Sequence, residues 1–560
     1  MLAEKIDQCL QGDRQIAILP DGPLSTTELR KRMSGLEQAI SAKSATNAVV
    51  AICCKSDRFV IAALSSCLRL GRPALICDPN GTLDETIALL KHSRAAAFVT
   101  DGDPNWLADH MPDLLVLDAS VTGENTQHPV PTHPSSTALL VATSGTTDRP
   151  KIVALSHDNL RAQFSIFQDV YGFDAETRAL NLLPLHHVDG IIRGPLLALW
   201  FGATLLRPRP FSAQASQVVL DDLAAHDATH MITVPAMLRI MLRAHDPARF
   251  SMPHSMQYIL CSADYLDADL WHAAEGAFNI PVVNAYGLSE VVCDALIAGP
   301  DDATRVVGSI GVARGLTARV LREDGRDCAV GEIGELTIEG GTVMQGYLYD
   351  APATEAVLKE GVFRTGDLVH LDQNGVFVFE GRKKNVVVVG GVTIHPEAVT
   401  EVLSALPGVA EAYAFGHRTE TGEELLAAVC PLPDASLDLD RVYAECRTRL
   451  SPEKQPSRLI LLPALPRRAS GKVDKAAILD AMPKTKGTSV EQIAANCFGV
   501  NVDDISEDSS PFNTAGWDSL AHMNFIEMLE ETFDFTVSPE DVAGLFSISD
   551  ALEIVNQRKG

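Results

Sequence analysis

Positive charge is scarce in this chain. Its 560 residues include 46 Lys and Arg against 73 Asp and Glu, so the formal net charge at pH 7 is −27. Proteins that bind nucleic acid need a basic surface to neutralise phosphates, and anionic membrane surfaces also attract basic proteins. The charge balance therefore predicts neither nucleic acid nor membrane as a partner.

Membrane spans, secretion signals and ordered cysteine patterns are also missing. The most apolar long stretch, residues 182–206, is interrupted by four polar side chains that a bilayer would penalise: His186, His187, Asp189 and Arg193. The N-terminus carries charges where a secretion signal needs an apolar core. The eleven cysteines form neither C-x-x-C pairs nor Cys/His ligand spacings, which is typical of reduced thiols. We therefore expect a cytoplasmic protein without disulfides or a zinc site.

Short apolar runs alternate with amphipathic segments up to about residue 375. Residues 48–53 and 73–77 are typical of strands, and residues 59–70 of a helix between them. This rhythm predicts strand–helix–strand units and mainly parallel sheets. Between Gly308 and Gly381, shorter strands with glycine turns predict a small antiparallel sheet or β-barrel.

The composition changes twice in the last third of the chain. A strand at 386–389 and an amphipathic helix at 396–406 begin a new α+β unit, and the polar residues 483–488 are typical of a linker. Residues 489–560 hold 14 acidic and 2 basic residues in a helical pattern. The predicted fold class is α/β plus α. It comprises a large N-terminal unit (1–383), a small mobile α+β unit (384–482), the linker (483–488) and a helical bundle (489–560).

A loop rich in hydroxyl groups follows the apolar strand at residues 138–142. It contains Thr143, Ser144, Gly145, Thr146 and Thr147 and reaches Lys151. Hydroxyls and freely oriented backbone N–H groups suit a polyphosphate, and glycine lets the backbone approach it closely. The spacing does not fit G-x-x-x-x-G-K-[ST], and such a cluster alone is commonly an ordinary turn. Its significance depends on the motifs that follow it.

Four further motifs follow in a fixed order: residues 284–290 (NAYGLSE), residues 363–367 (FRTGD), Gly381-Arg382 and residues 466–472 (PRRASGK). Glu290 supplies the carboxylate oxygen that Mg2+ prefers. Ionised Asp367 is a pure acceptor that can take two hydroxyl groups. Together the five motifs resemble the adenylate-forming superfamily, which contains acyl-CoA synthetases, firefly-type luciferases and the adenylation domains of nonribosomal peptide synthetases.

The resemblance implies a role for each matching residue. The hydroxyl-rich loop would cradle the β- and γ-phosphates of ATP, Tyr286 would stack near adenine, and Ser289 would contact the α-phosphate. Glu290 would bind Mg2+, Asp367 and Arg382 would hold the ribose, and His187 would flank the substrate carboxylate. The implied ATP-binding residues are Thr143, Ser144, Gly145, Thr146, Thr147, Lys151, Asn284, Tyr286, Gly287, Ser289, Asp367 and Arg382.

The implied reaction is attack of a carboxylate on the α-phosphate of ATP, giving an acyl-adenylate and pyrophosphate. Lys472 would bridge the two anions, because an ammonium offsets their repulsion. In the superfamily the small C-terminal unit then rotates about a hinge, here Lys384. The rotation would withdraw Lys472 and bring the Gly390-Gly391 loop toward the site for attack by a thiol.

Residues 516–520 (GWDSL) resemble the attachment site of acyl and peptidyl carrier proteins. Ser519 would receive a 4′-phosphopantetheine arm from a phosphopantetheinyl transferase. Leu520, Met523, Ile526 and Leu529 follow at helical spacing, so Ser519 should begin a helix whose dipole suits a phosphodiester. The acidic field of this tail would be recognised by downstream synthase or tailoring enzymes.

The acid itself is left open by the sequence. The residues expected to form the substrate pocket are Asp189, Gly190, Arg193, Ile259, Val283 and Ala285. Asp189 falls where amino-acid-activating relatives keep the aspartate that pairs with the substrate ammonium. Arg193 lies four residues on, where it could neutralise Asp189 and favour a hydroxy, keto or simple acyl acid, or meet a second acidic group on the substrate.

The expected function is ATP-dependent activation of a carboxylic acid and transfer to the chain's own carrier thiol, in a secondary-metabolite pathway. The alternative is an acyl- or aryl-CoA ligase whose carrier tail is accessory. An inactive scaffold is disfavoured because every expected catalytic position is filled, and no residue pattern signals a luciferase-like oxidation. ATP, Mg2+ and 4′-phosphopantetheine are the expected cofactors.

Overall fold

A computed structural model provides the architecture of the chain. It describes residues 2–43, 47–108, 110–123, 136–143, 151–211, 216–248, 250–263, 266, 268–383, 387–389, 392–394, 396–419, 422–432, 435, 437, 439–466, 473–482, 489–500, 502–517, 519–533 and 535–559.

The regular elements are numbered in chain order. The α-helices are α1 (Leu2–Cys9), α2 (Thr26–Lys43), α3 (Asp57–Arg69), α4 (Leu83–Ser93), α5 (Asn105–Ala108), α6 (His157–Ile166), α7 (Val188–Ile191), α8 (Leu197–Phe201), α9 (Ser216–Ala225), α10 (Pro235–Ala244), α11 (Ala268–Phe278), α12 (Ala351–Val357), α13 (Pro396–Ser404), α14 (Leu439–Arg449), α15 (Lys475–Ala481), α16 (Val490–Phe498), α17 (Ser519–Phe533), α18 (Pro539–Gly544) and α19 (Ile548–Lys559). The strands are β1 (Gln15–Leu19), β2 (Gly22–Ser25), β3 (Val50–Cys53), β4 (Ala74–Ile76), β5 (Ala97–Thr100), β6 (Leu115–Asp118), β7 (Thr137–Thr143), β8 (Lys151–Ser156), β9 (Arg178–Asn181), β10 (Thr204–Leu206), β11 (His230–Thr233), β12 (Tyr258–Ser262), β13 (Val282–Tyr286), β14 (Leu296–Ala298), β15 (Val312–Ala313), β16 (Thr317–Leu321), β17 (Gly334–Glu339), β18 (Gly346–Tyr347), β19 (Leu358–Lys359), β20 (Val362–Leu371), β21 (Phe377–Arg382), β22 (Val387–Val389), β23 (Val392–Ile394), β24 (Val409–Thr419), β25 (Gly422–Pro431) and β26 (Arg458–Leu461).

Two large sheets organise the N-terminal region. One has the order β15-β14-β13-β12-β11-β9-β10-β1-β2, and the other has the order β18-β8-β7-β4-β3-β5-β6. The pairs within β13-β12-β11-β9-β10-β1 and within β7-β4-β3-β5-β6 are parallel. The prediction of mainly parallel sheets built from strand–helix–strand units is therefore confirmed.

Smaller sheets follow in the order that the sequence predicted. Strands β16, β17, β19, β20 and β21 form one antiparallel sheet, which corresponds to the segment predicted as a small sheet or barrel. The next unit contains the hairpin β22-β23 and the sheet β24-β25-β26, with α13 and α14 in one apolar cluster and α15 in a second cluster formed with β24, β25 and β26. The expected boundary at 384–386 and the linker at 483–488 lie outside the described residues.

The C-terminal tail is a bundle of four helices, α16 to α19, as predicted. Its core contains Trp517, which stacks on Phe498 with ring centroids 4.1 Å apart. The Trp517 indole N–H donates to Nδ1 of His522 at 2.8 Å. Helix α17 begins at Ser519, in agreement with the predicted helix start.

The bundle lies against both preceding units. Helix α18 contacts α10 of the N-terminal region, and Met523 of α17 packs on the apolar cluster that α10 and α11 share. A Cβ added to Gly499 would lie 2.9 Å from Cδ of Arg447 in the α+β unit. The tail is thus docked at the junction of the two larger units.

Among the helices of the described residues, none is long and apolar enough to cross a membrane. The apolar stretch at 182–206 instead folds into short helical turns and strand β10 inside the N-terminal core.

The buried contact between Trp517 and His522 supports a prediction about the stability of the bundle. Trp517→Phe keeps an aromatic ring beside Phe498 but removes the N–H that His522 accepts. Loss of one partner of a buried hydrogen bond costs about 1–3 kcal/mol. Amide hydrogen exchange in residues 489–559 should therefore accelerate about 5- to 150-fold.

Exchange in the N-terminal sheets should stay unchanged in this variant. Phe512→Ser is the control, because the Phe512 side chain is 92% exposed and its loss should leave the exchange of the bundle unaltered. Unchanged exchange in the Trp517→Phe variant would contradict the assigned role of the hydrogen bond.

Candidate active site

The carboxyl ends of parallel strands meet at one edge of the nine-stranded sheet. Strands β9, β12 and β13 end there at Asn181, Ser262 and Tyr286, and the expected substrate and nucleotide motifs follow β9 and β13 directly. In open α/β sheets, ligands bind outside this edge. The topology therefore gathers motifs that lie about a hundred residues apart in the chain.

The two ends of the hydroxyl-rich loop are paired. Thr143 at the end of β7 lies opposite Lys151 at the start of β8, and its hydroxyl donates to the Lys151 carbonyl at 3.4 Å. The Lys151 ammonium lies 4.7 Å from the ring centroid of Tyr347, a cation–π contact. Ser144, Gly145, Thr146 and Thr147 lie outside the described residues.

Tyr347 links this lysine to the expected metal ligand. Strand β18 pairs with β8, which places the Tyr347 hydroxyl where it donates to Oε1 of Glu290 at 2.8 Å. The backbone carbonyl of Glu290 also accepts from the N–H of Met344 at 2.8 Å. Glu290 is therefore held by two contacts from one neighbouring segment, and Tyr347 of that segment also contacts Lys151.

The expected adenine and ribose residues are in direct contact. The Tyr286 hydroxyl donates to Oδ2 of Asp367 at 2.6 Å, and Asp367 is buried in β20. Arg382 is the cross-strand neighbour of Asp367 in the pairing of β20 with β21. The fold thus brings these three predicted residues to one place.

The segment after β13 is shaped by a close backbone approach. A Cβ on Gly287 would lie 1.3 Å from the carbonyl oxygen of Cys293, so only glycine fits there. Asn284 is held by a hydrogen bond from its Nδ2 to the Ser309 carbonyl at 2.9 Å. Ser289 begins a short 3₁₀ turn that also contains Glu290.

A buried arginine occupies the centre of the expected substrate region. The Arg193 side chain is 1% exposed, and its Nη1 donates to Oδ1 of Asp189 at 2.7 Å and to the Ser262 hydroxyl at 2.6 Å. Its Nη2 donates to Asp294, which is fully buried. Asp294 also accepts from the Tyr171 hydroxyl at 2.7 Å.

Local backbone irregularities produce this cluster. Arg193 lies in a π-helical turn (Ile192–Leu196) that contains Pro195, which has no N–H to donate, and Gly194 adopts non-helical dihedral angles. In the segment that carries Asp294, Val292 has a φ of +71°. This backbone angle is strained for a β-branched residue and costs about 1–3 kcal/mol. Asp294 follows two residues later and faces Arg193.

The electrostatics of the cluster follow from one cation facing two carboxylates. Burial raises the pKa of Asp294, while Arg193 opposes the rise. Asp189 keeps 17% of its side chain exposed, and its Oδ1 also accepts from the Cys293 thiol at 2.9 Å. Burial raises the pKa of that thiol well above its usual range, so it remains a neutral donor.

His187 precedes α7 and is half-buried. Burial, reinforced by neighbouring His186, lowers its pKa to about 3. The two imidazole centroids are 4.4 Å apart. His187 is therefore a neutral imidazole near neutral pH and can contribute hydrogen bonds, rather than positive charge, to a nearby carboxylate.

The pocket prediction needs one correction. Val283 and Ala285 belong to the main core cluster, whereas Ile259 packs in the cluster of α10 and α11. In the pairing of β12 with β13, Ile259 lies opposite Val282 and shares its face of the sheet. Leu260 lies opposite Val283 and shares the other face. Because strand side chains alternate between faces, Leu260 replaces Ile259 as the candidate beside Val283.

Gly190 has a packing reason of its own, since a Cβ there would lie 2.0 Å from the Pro184 carbonyl oxygen. Several expected residues lie outside the described residues, namely Lys384, Gly390, Gly391 and Lys472. For Arg382 and Ser519 the structure describes the backbone position only.

Comparisons with known proteins identify the family of the chain. The family model described as AMP-binding enzyme matches residues 10–348, its C-terminal domain matches 398–472, and the phosphopantetheine attachment site matches 489–555. The chain belongs to the AMP-binding enzyme family. It is an ATP-dependent acid–thiol ligase that forms an adenylate, with a carrier domain at its C-terminal end.

Similar proteins include two curated ligases. Sulfoacetate–CoA ligase of Cupriavidus necator is 34% identical over 66% of this chain and 72% of its own length. Indoleacetate–CoA ligase of Aromatoleum aromaticum is 31% identical over 85% of this chain and 96% of its own length. A variant of o-succinylbenzoate CoA synthetase from Bacillus subtilis has the same fold, with a TM-score of 0.75, 25% identity and coverage of 85% of this chain and 98% of that chain.

Two residues of the site were missed by the sequence analysis. Tyr347 contacts both Lys151 and Glu290, but only the pairing of β18 with β8 reveals it. Asp294 follows three apolar residues (Val291 to Cys293), and a buried acid in such a run needs a cation. An acidic residue after three apolar residues was therefore the sequence feature that could have identified Asp294 as a partner of Arg193.

Removal of the buried cation should destabilise the fold in a pH-dependent way. Arg193→Gln leaves Asp189 and Asp294 without their counter-charge, and breaking such a buried pair costs about 3–5 kcal/mol. Burial raises the pKa of Asp294, and without the guanidinium Arg193 no longer opposes that rise. A carboxyl whose folded-state pKa is raised retains stability at low pH and loses it as pH rises. Urea unfolding should therefore show a larger loss at pH 8 than at pH 5.

Arg161→Gln is the matched control for this experiment. Arg161 pairs with Asp158 on the surface, where the two side chains are 67% and 81% exposed, so its loss should cost less than about 1 kcal/mol at either pH. Equal stability losses in the two variants would contradict the importance of the buried cluster.

Proposed function

We propose that this enzyme activates a carboxylic acid that carries no amino group, and transfers the acyl group to the phosphopantetheine thiol on its own Ser519. The observation that carries this proposal is the buried ion pair between Arg193 and Asp189. The proposed substrate is a small acid, and the proposed activating partner is a phosphopantetheinyl transferase.

The ion pair argues against both other substrate classes considered. An ammonium substrate would have to share Asp189 with a guanidinium 2.7 Å away and with the Cys293 thiol. A second acidic group could not reach Arg193, which is 1% exposed and already faces two carboxylates. Two of the ligases similar to this chain are named for sulfoacetate and indoleacetate, neither of which has an amino group. Sulfoacetate does carry a second acidic group, so only the burial of Arg193 argues against that class.

The nucleotide-binding residues support an adenylation step by positioning and electrostatics. Lys151 and Thr143 would face the β- and γ-phosphates, and Asp367, held by Tyr286, would accept from the ribose. The carboxylate of Glu290 suits Mg2+, because Tyr347 fixes it beside Lys151. Bound Mg2+ would neutralise charge on the phosphates, and Lys472 would join the substrate carboxylate to the α-phosphate.

A CoA ligase with an accessory carrier is the second candidate. The names of the similar ligases favour it, since both transfer their acids to CoA. The two candidates differ in the thiol that receives the acyl group, so they are separated by following that group rather than by measuring adenylation.

The substrate class is tested by ATP–pyrophosphate exchange across amino, hydroxy, keto, aryl and short acyl acids. We expect exchange with an amine-free acid and at most background exchange with amino acids. Asp189→Asn should not change this ranking, because Arg193 rather than a substrate cation holds Asp189. An amino acid as the best substrate, with at least a hundredfold loss in Asp189→Asn, would contradict the proposal.

The receiving thiol is tested by intact-mass measurement after phosphopantetheinylation. The wild-type chain should gain the arm and then, with ATP and acid, the acyl group. Ser519→Ala should gain neither mass yet retain pyrophosphate exchange, whereas Lys472→Ala should gain the arm but lose exchange by at least about a hundredfold. Rapid acyl-CoA formation by Ser519→Ala, without acylation of the wild-type arm, would favour the CoA ligase.

A further inference from the structure

Three possible metal ligands meet where the N-terminal region and the α+β unit touch. Asp78 follows β4, His186 follows β9, and Glu453 lies in the 3₁₀ turn Pro452–Lys454 of the α+β unit. One potential ligand atom from each lies within 4.8 Å of the other two. Nδ1 of His186 is 3.5 Å from Oδ1 of Asp78.

The imidazole is available as a ligand. It forms no hydrogen bond with any residue of the described ranges, and Asp78 lies close to its Nδ1 without bonding to it. Burial lowers the pKa of His186 to about 4, so the ring is neutral and keeps a lone pair on one nitrogen. Neutral imidazole is the form that binds metal ions.

The neighbouring lysine offsets only part of the negative charge at this point, since Lys454 lowers the pKa of Asp78 less than burial raises it. Nζ of Lys454 lies 3.2 Å from Oε1 of Glu85, so this ammonium is engaged by a third carboxylate. The other oxygen of Glu85 accepts from the N–H of Thr82 in the capping box of α4. Burial raises the pKa of both Asp78 and Glu453, and the nearby carboxylate of Glu85 adds to both rises.

We propose that Asp78, His186 and Glu453 form a binding site for a first-row divalent metal ion that joins the two units. One imidazole nitrogen and two carboxylate oxygens are a donor set for Zn2+ or Mn2+, with remaining positions taken by water. Metal–ligand bonds of about 2.1 Å place ligand atoms about 3.4 Å apart in a tetrahedral site. Because the ligand atoms lie within 4.8 Å of one another, they need to close by at most about 1.4 Å.

The site is separate from the expected nucleotide metal, whose ligand is Glu290. Its ligands come from both units, so the ion would hold the turn Pro452–Lys454 against the loops that follow β4 and β9. Because His186 adjoins His187, the ion would also fix the backbone that precedes the substrate region. The bound ion is predicted to stabilise the arrangement in which the α+β unit packs against the loops that follow β4 and β9.

Mn2+ binding to the full-length protein, without nucleotide, tests the proposal. Mn2+ is paramagnetic and prefers oxygen and nitrogen to the eleven thiols, so the free ion can be counted by electron paramagnetic resonance. We expect one site per chain, with affinity reduced at least tenfold in Asp78→Asn, His186→Gln and Glu453→Gln. Asp84→Asn, an exposed neighbour that carries the same charge, is the matched control and should retain the site.

Hydrogen exchange provides the second readout and monitors folding of each variant. Mn2+ should protect residues 452–457 in the wild type but not in Asp78→Asn, although Asp78 belongs to the other unit. Equal Mn2+ affinity in the wild type and Glu453→Gln would overturn the bridging site. An equal loss in Asp84→Asn and Asp78→Asn would mean diffuse attraction to an acidic surface and would also overturn it.

Discussion

The rest of the site depends on the hydrogen bonds and ion pairs that the buried guanidinium of Arg193 forms. It joins the irregular helix after β9 to the end of β12 and to the segment before β14 through Asp189, Ser262 and Asp294. A fully buried cation is tolerated only when its partners are in place, so these three segments must be ordered together.

The nucleotide side of the site is built differently, from pairings between strands. The β7–β8 pairing closes the phosphate loop, the β8–β18 pairing brings Tyr347 to Glu290, and the β20–β21 pairing sets Asp367 opposite Arg382. Backbone hydrogen bonds fix the separation of such groups before any ligand binds. The acid side thus relies on buried charge, and the nucleotide side relies on sheet register.

The sequence predicted the parallel sheets, the helical carrier and the order of the motifs, because each depends on local patterns of apolar, glycine and hydroxyl residues. It did not predict Asp294 as the partner of Arg193, since 101 residues separate them and only the packed sheet brings them together. Ile259 was assigned to the wrong face because side chains alternate along a strand, and a one-residue difference in phase reverses the face. Long-range pairing and strand phase are therefore what local patterns leave undetermined.

The contact between Met523 and the apolar cluster of α10 and α11 has a consequence for how the carrier is shared. Met523 lies one turn after Ser519 on α17, so the surface next to this proposed attachment serine is covered while the carrier is docked. A surface can hold one partner at a time. The ligase core and any other protein that binds the same face of α17 must therefore bind it one after the other, and the rate at which the carrier leaves the core limits how fast another protein can bind it.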